Sequence, residues 1–369
     1  MKKILFNEGD IMNIIEAYND AQYKVAGHGS TTTNLLVEAM MEKGMNLEKD
    51  VYGTGPIIND FEAKIAQVLG KEAAVFYPSG TMAQQIALRI WCDEKQIKRV
   101  AYHPLCHLEI HEQDGLKELH GIETILLGAT YRLFTLEDLQ TVTKPLSAVL
   151  IELPQREIGG QLPTFGQLIE LSNYCREQKI ALHLDGARLF ETLPYYEKEA
   201  SELCDLFDSV YISFYKGFGA VSGAILAGSK AFCETSKVWK RRYGGDLYSL
   251  YPYIIPADYC YEMRKDKMAD YYKAAVTLAK RLNECPHVLT IPEVPVTNMF
   301  HLHFDIPKEV MEMILASMYV QSGVALRPSL KGTPIGCYLE ISVGDALLEI
   351  QDEVIGNGIE VLKKLLSNI

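Results

Sequence analysis

Three features are missing from this sequence of 369 residues: a long apolar run, a basic block and a closely spaced pair of cysteines. A helix that crosses a membrane needs about 20 consecutive apolar residues. Acidic residues outnumber basic residues by 48 to 36, which gives a net charge of −12 and a poor match to nucleic-acid phosphates. We therefore predict neither a membrane nor a nucleic acid as a partner.

The cysteines are scattered and include no C-x-x-C motif, which argues against a disulfide framework. They are Cys92, Cys106, Cys175, Cys204, Cys233, Cys260, Cys285 and Cys337. In a chain of this length they are typical of free, buried thiols in a reducing compartment. Glu8 and Asp10 interrupt the short apolar stretch at the N-terminus, and no small-residue cleavage site follows, so no signal peptide is predicted. The sequence therefore predicts a cytoplasmic protein.

Helix and strand patterns alternate along the middle of the chain. Apolar residues with helical spacing in 58–70 precede a strand-like stretch at 72–78, and a helix follows from Ser79. Further short apolar stretches have the length of buried strands, and they lie at 99–103, 122–128, 147–154, 180–185, 209–214 and 223–228. Strands separated by helices predict an α/β fold with a mostly parallel sheet that is covered on both faces.

A different pattern begins near Pro256. A long helix is predicted over 259–284, and an alternating strand in NMFHLHFD and a C-terminal helix follow it. These elements predict a smaller α+β domain. We therefore predict three parts, namely an N-terminal segment (1–50), a large domain (51–255) and a small C-terminal domain (256–369).

The stretch KIALHLDGARLF ends an apolar strand with a carboxylate, that of Asp185. A buried carboxylate without a partner is costly, so a cation is expected to face it. Ligands of open α/β sheets bind outside the carboxyl ends of the strands. Asp185 is therefore a candidate ligand-binding residue.

Another strand end is followed by small polar residues. In YPSGTM, Ser79, Gly80 and Thr81 lie between a predicted strand and a predicted helix. Free backbone N–H groups at the start of a helix can hold an anion, most commonly a phosphate. Many helices begin with such residues simply as a cap, so this motif alone does not establish an anion site.

Lys216 follows a third apolar strand, within SFYKGFGAVSGAILAG. One interpretation is a surface lysine in a glycine-rich turn. The other is a partly desolvated amine in line with the other strand ends, which is the kind of amine that forms Schiff bases. The segment is not a G-x-G-x-x-G dinucleotide motif.

The stretch CHLEIHEQDG allows two interpretations. A metal could be bound by His103, Cys106, His107 and His111, since the last two are one helical turn apart. Alternatively, His107 is an aromatic plate or a proton carrier over a cofactor. The order of the residues is not the H-E-x-x-H of metalloproteases, which disfavours the metal-binding interpretation.

These features together fit one cofactor, pyridoxal 5′-phosphate. It carries a phosphate, a flat ring, an aldehyde that lysine can bind, and a pyridine nitrogen whose protonated form is the cation expected to face Asp185. We therefore predict pyridoxal 5′-phosphate as the cofactor and no metal.

The chain resembles the threonine aldolase and β-eliminating lyase family of fold-type-I pyridoxal-phosphate enzymes. The resemblance rests on HLDGAR followed by S-x-x-K-G-x-G-A, and on matching segments in the same order over roughly 50–245. It implies a fold-type-I architecture. It also implies a homodimer or homotetramer with shared active sites, with Tyr52 and Gly53 near the dimer interface.

The resemblance also implies roles for individual residues. Lys216 would form the internal aldimine, Asp185 would pair with the pyridine nitrogen, and His107 would stack on the ring and act as a base. Arg188 would bind the phenolic oxygen of the cofactor or the carboxylate of the substrate. The remaining cofactor-binding residues implied in this way are Ser79, Gly80, Thr81 and Ser213.

The chain departs from the family pattern where the substrate is held. The family's Ser-Asp-Thr stretch is replaced by GHGSTTTN, in which His28 and Ser30 are loose substitutes. Tyr248 stands near the position of an arginine that often follows the Gly-Gly pair. The C-terminal arginine that grips the substrate carboxylate is missing from CYLEISVGD, and Arg327 and Lys331 are the nearest cations. Because a guanidinium binds carboxylates through two bonds, this leaves the substrate open.

We predict cleavage of the Cα–Cβ bond of a β-hydroxy amino acid, such as threonine or allo-threonine, to glycine and an aldehyde (acetaldehyde for these two). The predicted catalytic residues are Lys216, His107 and Asp185, and the predicted substrate-binding residues are Ser30, Arg188 and Arg327. Alternatives are β-elimination from another amino acid, a metal-dependent hydrolase built on the histidines, and a binding protein without activity that keeps the fold.

Overall fold

The computed structural model describes residues 13–29, 32–44 and 46–369. Helices, labelled in chain order, are α1 (Ile14–Asp20), α2 (Asn34–Lys43), α3 (Pro56–Val68), α4 (Gly80–Lys95), α5 (His107–Ile110), α6 (Gly115–His120), α7 (Leu136–Gln140), α8 (Phe165–Gln178), α9 (Leu189–Tyr196), α10 (Ala200–Cys204), α11 (Lys230–Arg242), α12 (Tyr251–Arg264), α13 (Met268–Leu282), α14 (Lys308–Ser322), α15 (Asp345–Leu348) and α16 (Asp352–Leu366). Strands are β1 (Tyr23–Lys24), β2 (Ala73–Tyr77), β3 (Arg99–Tyr102), β4 (Glu123–Leu126), β5 (Ala148–Glu152), β6 (Ala181–Gly186), β7 (Ser209–Ser213), β8 (Ala224–Gly228), β9 (Val288–Ile291), β10 (Met299–Phe304), β11 (Val324–Ala325), β12 (Lys331–Thr333) and β13 (Gly336–Ser342).

The chain forms two compact units. One unit consists of Thr32–Met268, and the other combines residues 13–29 with Ala269–Ile369. The N-terminal residues belong to the second unit because β1 pairs with β11 in parallel, with Tyr23 opposite Val324. The division into 1–50, 51–255 and 256–369 remains a prediction, and the units observed here meet at Met268 instead of at residue 255.

Among the described residues, the larger unit holds a sheet of seven strands in the order β2–β8–β7–β6–β5–β3–β4. The strands β7, β6, β5, β3 and β4 are parallel, whereas β8 runs antiparallel to both of its neighbours. Every residue of β6, β7 and β8 is buried, as expected for strands that are covered on both faces. The predicted α/β fold with a mostly parallel sheet is confirmed.

The direction of β8 brings the end of β2 to the carboxyl edge of the parallel strands. Ala224, the first residue of β8, pairs with Ser213 at the end of β7 and with Tyr77 at the end of β2. Glu152 and Asp185, near the ends of β5 and β6, lie opposite each other at the same edge. The segments that follow these strands therefore start from a common edge of the sheet.

Local sequence signals explain where the helices near this edge begin. Ser79 is the N-cap of α4, and its hydroxyl accepts a hydrogen bond from the N–H of Met82 at 3.5 Å. α8 begins with a capping box in which Thr164 and Gln167 bond to each other's backbone N–H groups. Such caps replace bonds that the first turn of a helix cannot make internally, which stabilises each helix by about 1 kcal/mol.

The second unit contains a small antiparallel sheet, with strand order β12–β13–β10–β9 among the described residues. Helices α14 and α16 of this unit pack against each other and have apolar buried faces. This arrangement agrees with the α+β organisation predicted for the C-terminal part. No helix in the described part of the chain is long and apolar enough to cross a membrane.

The prediction of one continuous helix over 259–284 is wrong. α12 begins earlier, at Tyr251, and a 3-10 turn over Lys265–Lys267 separates it from α13. Arg264 leaves the helical region with φ −123°, and its guanidinium donates a hydrogen bond to the carbonyl of Phe218 at 2.5 Å. This contact joins residues that are far apart in the sequence, so the local spacing of apolar residues did not reveal the break.

Candidate active site

Asp185 is the best-buried of the predicted catalytic groups, with only 2% of its surface exposed. One carboxylate oxygen accepts a hydrogen bond from the N–H of Ala187 at 3.1 Å. Burial raises the pKa of Asp185, and the positive charges of Lys216 and His107 oppose that rise. Such a carboxylate is stabilised in its charged form by any further cation brought next to it.

Lys216 lies in a loop between β7 and β8 that backbone hydrogen bonds close tightly. The N–H of Phe214 donates to the carbonyl of Gly223 at 3.0 Å, and its carbonyl accepts from the N–H of Ala220 at 2.9 Å. Within the loop, the N–H of Gly219 donates to the carbonyl of Lys216 at 3.1 Å. Burial lowers the pKa of Lys216, and the charge of Asp185 opposes this effect. The amine is therefore partly desolvated, unlike that of a surface lysine, and close enough to Asp185 for their charges to interact. Its role as a Schiff-base lysine stays a prediction.

Glu191 lies beneath this loop, and the sequence analysis did not identify it. A β-carbon at Gly217 would overlap the Glu191 carboxylate, so a side chain there would force the carboxylate to move. Burial raises the pKa of Glu191 to about 7, against the lowering effect of the Arg188 charge. One of its oxygens is buried and has no hydrogen-bond partner among the described residues. The pattern HLDGARLFE contains this residue, but nothing local distinguishes it from a surface carboxylate at the start of a helix.

The predicted anion site at the start of α4 gains two phenol groups. A β-carbon at Gly80 would overlap the hydroxyl of Tyr211 and would lie 2.8 Å from that of Tyr215. The two hydroxyls are 3.4 Å apart. Ser213 is also buried, and its hydroxyl has no hydrogen-bond partner among the described residues. Hydroxyl donors therefore supplement the N–H groups of the helix terminus.

Tyr211 and Tyr215 were missed by the sequence analysis. Tyr211 and Ser213 point to the same face of β7, since they are two residues apart in a strand. That alternation was the available signal for Tyr211. Tyr215 had no comparable signal, because its place beside Gly80 depends on β2 and β7 ending at the same edge.

His107 begins α5 and is tied to two carboxylates. Its Nδ1 lies 3.1 Å from one oxygen of Glu112, and its backbone N–H donates to Glu152 at 3.3 Å. The other oxygen of Glu112 accepts a bond from the side-chain amide of Gln85 at 3.0 Å. The His107 ring is partly accessible, so it can meet a ligand while its Nδ1 side is anchored.

The histidines of the metal-binding interpretation do not point to a common site. His103 bonds through Nε2 to the carbonyls of Ala129 and Arg132, at 3.2 and 2.9 Å, and through Nδ1 to the N–H of Leu105 at 3.1 Å. His111 pairs instead with Glu157 at 3.0 Å. Among residues 13–29, 32–44 and 46–369, no group of three or more His, Cys, Asp or Glu side chains is arranged to hold a metal. The metal-dependent hydrolase alternative therefore gains no support from the described residues.

Two arginines supply positive charge near the buried carboxylates. Arg188 precedes α9 and is half-buried, and its charge lowers the pKa values of Glu191 and Glu152. Arg156, which the sequence analysis did not identify, follows β5 and bonds to Glu157 at 3.2 Å. Its charge contributes to lowering the pKa of Lys216. A ligand carboxylate could therefore find a cation near Lys216.

Three further residues were named as substitutes for the substrate-binding groups of the family. Ser30 lies outside the described residues. Arg327 belongs to the smaller unit, where its Nε donates to the carbonyl of Glu340 at 3.1 Å. In the same unit, His28 accepts a bond from the N–H of Asp345 at 3.2 Å through Nδ1. The predicted substrate roles of Ser30, Arg327 and His28 remain predictions.

Comparison with known proteins adds an independent line of evidence. The sequence profile of the β-eliminating lyase family matches residues 29–306. A crystal structure from Listeria monocytogenes EGD-E, of a protein provisionally described as an L-allo-threonine aldolase, has 54% sequence identity and a TM-score of 0.94, and the match covers 96% of this chain and 99% of that chain. Low-specificity L-threonine aldolase 1 from Arabidopsis thaliana is 25% identical over 309 residues, which are 80% of this chain and 86% of the relative.

A more distant structure, a threonine aldolase from Leishmania major, shares the fold. It has 18% identity and a TM-score of 0.72, with 93% of this chain and 99% of that chain covered. At this identity the similarity shows the fold alone. Together these structures confirm the fold-type-I architecture that the sequence resemblance implied.

Proposed function

Because this chain belongs to the β-eliminating lyase family, we propose that it cleaves the Cα–Cβ bond of a β-hydroxy amino acid with pyridoxal 5′-phosphate as cofactor. The membership confirms the resemblance seen in the sequence. The chain is a threonine aldolase-like lyase, and members of this family depend on pyridoxal phosphate. The observation that carries the proposal is the interaction between the buried Asp185 and the partly desolvated Lys216 at the carboxyl edge of one sheet.

The residues at this edge fit the cofactor. The start of α4, with Gly80, the phenols of Tyr211 and Tyr215 and the unpaired hydroxyl of Ser213, suits a phosphate. The buried carboxylate of Asp185 suits a protonated pyridine nitrogen. Lys216 is the amine that would bind the aldehyde carbon. Each match involves a different chemical group of the cofactor, so their combination is specific.

When bound, pyridoxal phosphate supplies an electron sink for the pair released from the broken bond. The chain's own residues do the rest. Asp185 holds the proton on the pyridine nitrogen through its buried negative charge. His107 takes the proton from the β-hydroxyl of the substrate at Nε2, the ring nitrogen that is not engaged by Glu112. The aldehyde then leaves, and a proton returned to Cα completes glycine.

The substrate class is supported by relatives rather than by a bound molecule. The Listeria structure is provisionally described as an L-allo-threonine aldolase and covers nearly the whole chain. We propose threonine or allo-threonine as the substrate, with glycine and acetaldehyde as products. Arg188 is proposed to bind the substrate carboxylate or the cofactor's phenolic oxygen, because it makes no hydrogen bond or ion pair with any described residue.

The test of the cofactor is a visible absorption spectrum of the purified protein before and after borohydride. We expect a yellow band that reduction abolishes, with a pyridoxyl group on the peptide that contains Lys216. A protein that stays colourless with added pyridoxal phosphate would contradict the proposal. Lys216→Ala should lose both the band and turnover.

A second candidate is β-elimination from an amino acid with a good leaving group. The lowered pKa of Lys216 favours it, because such an amine could remove the α-proton. The products separate the two reactions. Aldol cleavage yields glycine and an aldehyde, whereas β-elimination yields a keto acid and ammonia, with pyruvate formed from serine-like substrates.

We also propose that the chain acts as a homodimer or homotetramer. Tyr52 and Tyr248 form an edge-to-face pair with ring centres 5.4 Å apart, and both are about half exposed. Arg241 covers the Tyr52 ring at 5.1 Å. Exposed aromatic and arginine side chains are enriched in protein interfaces. Light scattering of the wild type and of Tyr248→Asp tests this: the variant should dissociate, and a monomeric wild type would contradict the proposal.

The eight buried, free cysteines support the proposed reducing, cytoplasmic location.

A further inference from the structure

We propose that Glu112, braced by Gln85, is a positioning residue that keeps a proton on Nδ1 of His107 and leaves Nε2 to exchange protons with the substrate. The catalytic part of this inference rests on the proposed function. The proton arrangement itself depends only on contacts within this chain.

The Glu112 carboxylate joins two side chains. Its side chain is 1% exposed. One oxygen lies 3.1 Å from Nδ1 of His107, and the other accepts from Nε2 of Gln85 at 3.0 Å. An ionised carboxylate only accepts hydrogen bonds, so a bond from His107 to an ionised Glu112 requires the proton on Nδ1. In the neutral ring, Nε2 is then the unprotonated nitrogen and carries the free lone pair.

Gln85, the side chain behind the carboxylate, is closely packed. Gln85 is buried within α4, the helix whose first turn forms the candidate anion site. A β-carbon at Gly115 would lie 2.5 Å from the Gln85 side-chain nitrogen, so the glycine leaves room for this amide. α4 therefore contributes to both the anion site and the orientation of His107.

The loop after Glu112 adopts an unusual backbone. Gln113 and Asp114 are both left-handed, with φ values of 51° and 55°. Each such residue costs about 1 kcal/mol when it is not glycine. The turn reverses the chain directly after Glu112, while that side chain stays buried.

Several charged groups surround His107. Glu112 faces Nδ1 and Glu152 accepts from the backbone N–H at 3.3 Å, while the His107 charge partly opposes the rise that burial causes in the pKa of Asp185. The ring of His111 lies 5.1 Å away, centre to centre. When the ring is charged, the proton on Nδ1 remains hydrogen-bonded to Glu112. Proton exchange therefore occurs at Nε2 in both directions of the reaction.

The chain offers a matched control in the neighbouring pair. His111 bonds to Glu157 at 3.0 Å, but through Nε2 instead of Nδ1, and its side chain is more exposed. Glu157→Gln therefore perturbs a carboxylate–histidine pair in the same segment without touching the Glu112 contact.

The test is ¹⁵N NMR of the purified, histidine-labelled protein at a pH where the His107 ring is neutral. His107→Gln assigns the signal. We expect Nδ1–H to predominate in the wild type. In Glu112→Gln the amide can offer either its oxygen or its nitrogen to the ring, so a mixture of both tautomers is expected. Glu157→Gln should leave His107 unchanged.

A double substitution provides the rescue. In Gln85→Glu with Glu112→Gln, the carboxylate at 85 accepts from the new amide nitrogen, which turns the amide oxygen toward His107. The Nδ1–H form should return. Turnover should follow the same order, with kcat about 10- to 100-fold lower in Glu112→Gln and partly restored in the double variant, as for other groups that orient a functional histidine.

Specific results would overturn the inference. Glu112→Gln with wild-type tautomer populations would refute the proton arrangement, and so would a double variant that folds but fails to restore Nδ1–H. A shifted tautomer with unchanged kcat would refute the positioning role in catalysis. If the wild type cleaves no β-hydroxy amino acid while the tautomers shift as expected, the proposed function fails and the proton arrangement stands.

Discussion

Asp185 lies directly opposite Glu152 in the register of the parallel strands β6 and β5. Two carboxylates therefore meet near the ends of adjacent buried strands. Burial and the charge of Asp185 raise the pKa of Glu152 to about 7, while Lys216 and Arg188 lower it. Each carboxylate opposes the ionisation of the other, and a cation placed at this edge favours their charged forms. This is the electrostatic setting expected around a protonated pyridine nitrogen.

The first prediction concerns the charge of Asp185. Asp185→Asn keeps the shape of the side chain but removes the charge, so kcat should fall by about 10²–10³-fold, the usual effect of losing a preorganised electrostatic partner. Steady-state kinetics with threonine and allo-threonine measure this. Asp93→Asn, at an exposed helix pair with Arg89, is the control and should leave kcat unchanged. An Asp185→Asn enzyme with full activity would refute the role.

The second prediction concerns the anion site at Gly80. In Gly80→Ala the new methyl group would overlap the Tyr211 hydroxyl, so the start of α4 can no longer close around a phosphate. The Kd for pyridoxal phosphate should rise about tenfold or more, which corresponds to roughly 1.4 kcal/mol. Titration followed by absorbance measures it. Gly332→Ala is the matched control, because no atom lies within 4 Å of its β-carbon position. Equal affinities in both variants would exclude a cofactor phosphate at Gly80.

The third prediction separates Tyr215 from this steric effect. Tyr215→Phe removes one hydroxyl donor near Gly80 and adds no bulk. Since a hydrogen bond contributes a net 0.5–1.5 kcal/mol or so, the cofactor Kd should rise roughly 2- to 10-fold. The same titration applies, with Tyr131→Phe at an exposed loop position as control. An unchanged Kd in Tyr215→Phe would show that this phenol does not bind the phosphate.

The fourth prediction concerns Glu191 and pH. Its pKa is raised from 4.5 to about 7 by burial, so the folded state binds a proton more tightly than the unfolded state does. The resulting stabilisation is fully present below about pH 4.5 and is lost as the pH rises through about 7. Between about pH 4.5 and about pH 7, the free energy of unfolding should therefore fall by about 3 kcal/mol more in the wild type than in Glu191→Gln.

Urea unfolding of the cofactor-saturated proteins at about pH 5 and about pH 8 measures this difference. Glu177→Gln, at an exposed position of α8, should behave like the wild type. Parallel pH dependence in the wild type and Glu191→Gln would mean that Glu191 is not the buried acid described here.

The fifth prediction concerns Arg188. Arg188→Lys keeps the charge and loses the planar fork of donors that binds carboxylates and phenolic oxygens through two bonds. If Arg188 holds the substrate carboxylate, KM should rise about tenfold with little change in the cofactor Kd. If it holds the cofactor's phenolic oxygen, the Kd should rise instead. Arg281→Lys, at a surface ion pair with Asp352, is the control. No change in either constant would remove Arg188 from the site.

Much of this site could be predicted from the sequence. Asp185, Lys216 and Ser79 each follow a short apolar strand, and a strand end can be recognised from a few adjacent residues. Predictions from local residues also account for the error over 259–284. There a 3-10 turn separates two helices that apolar spacing alone predicts to be one, and Arg264 at the break bonds to the distant Phe218 carbonyl. The reliance on local residues also explains why Glu112, within the stretch CHLEIHEQDG, was given no role in the sequence analysis.

The sequence by itself determined the alternation of strands and helices, the residues at the strand ends and the family resemblance, because these depend on neighbours in the chain. The tertiary structure decided which of these residues meet. The antiparallel strand β8 brings the end of β2 beside the end of β7, and so places Tyr211 and Tyr215 at Gly80. The Glu191 carboxylate occupies the space that a side chain at Gly217 would take, and Glu112 reaches Gln85 from a different segment. Such contacts are set by strand order and close packing, which no local pattern of residues encodes.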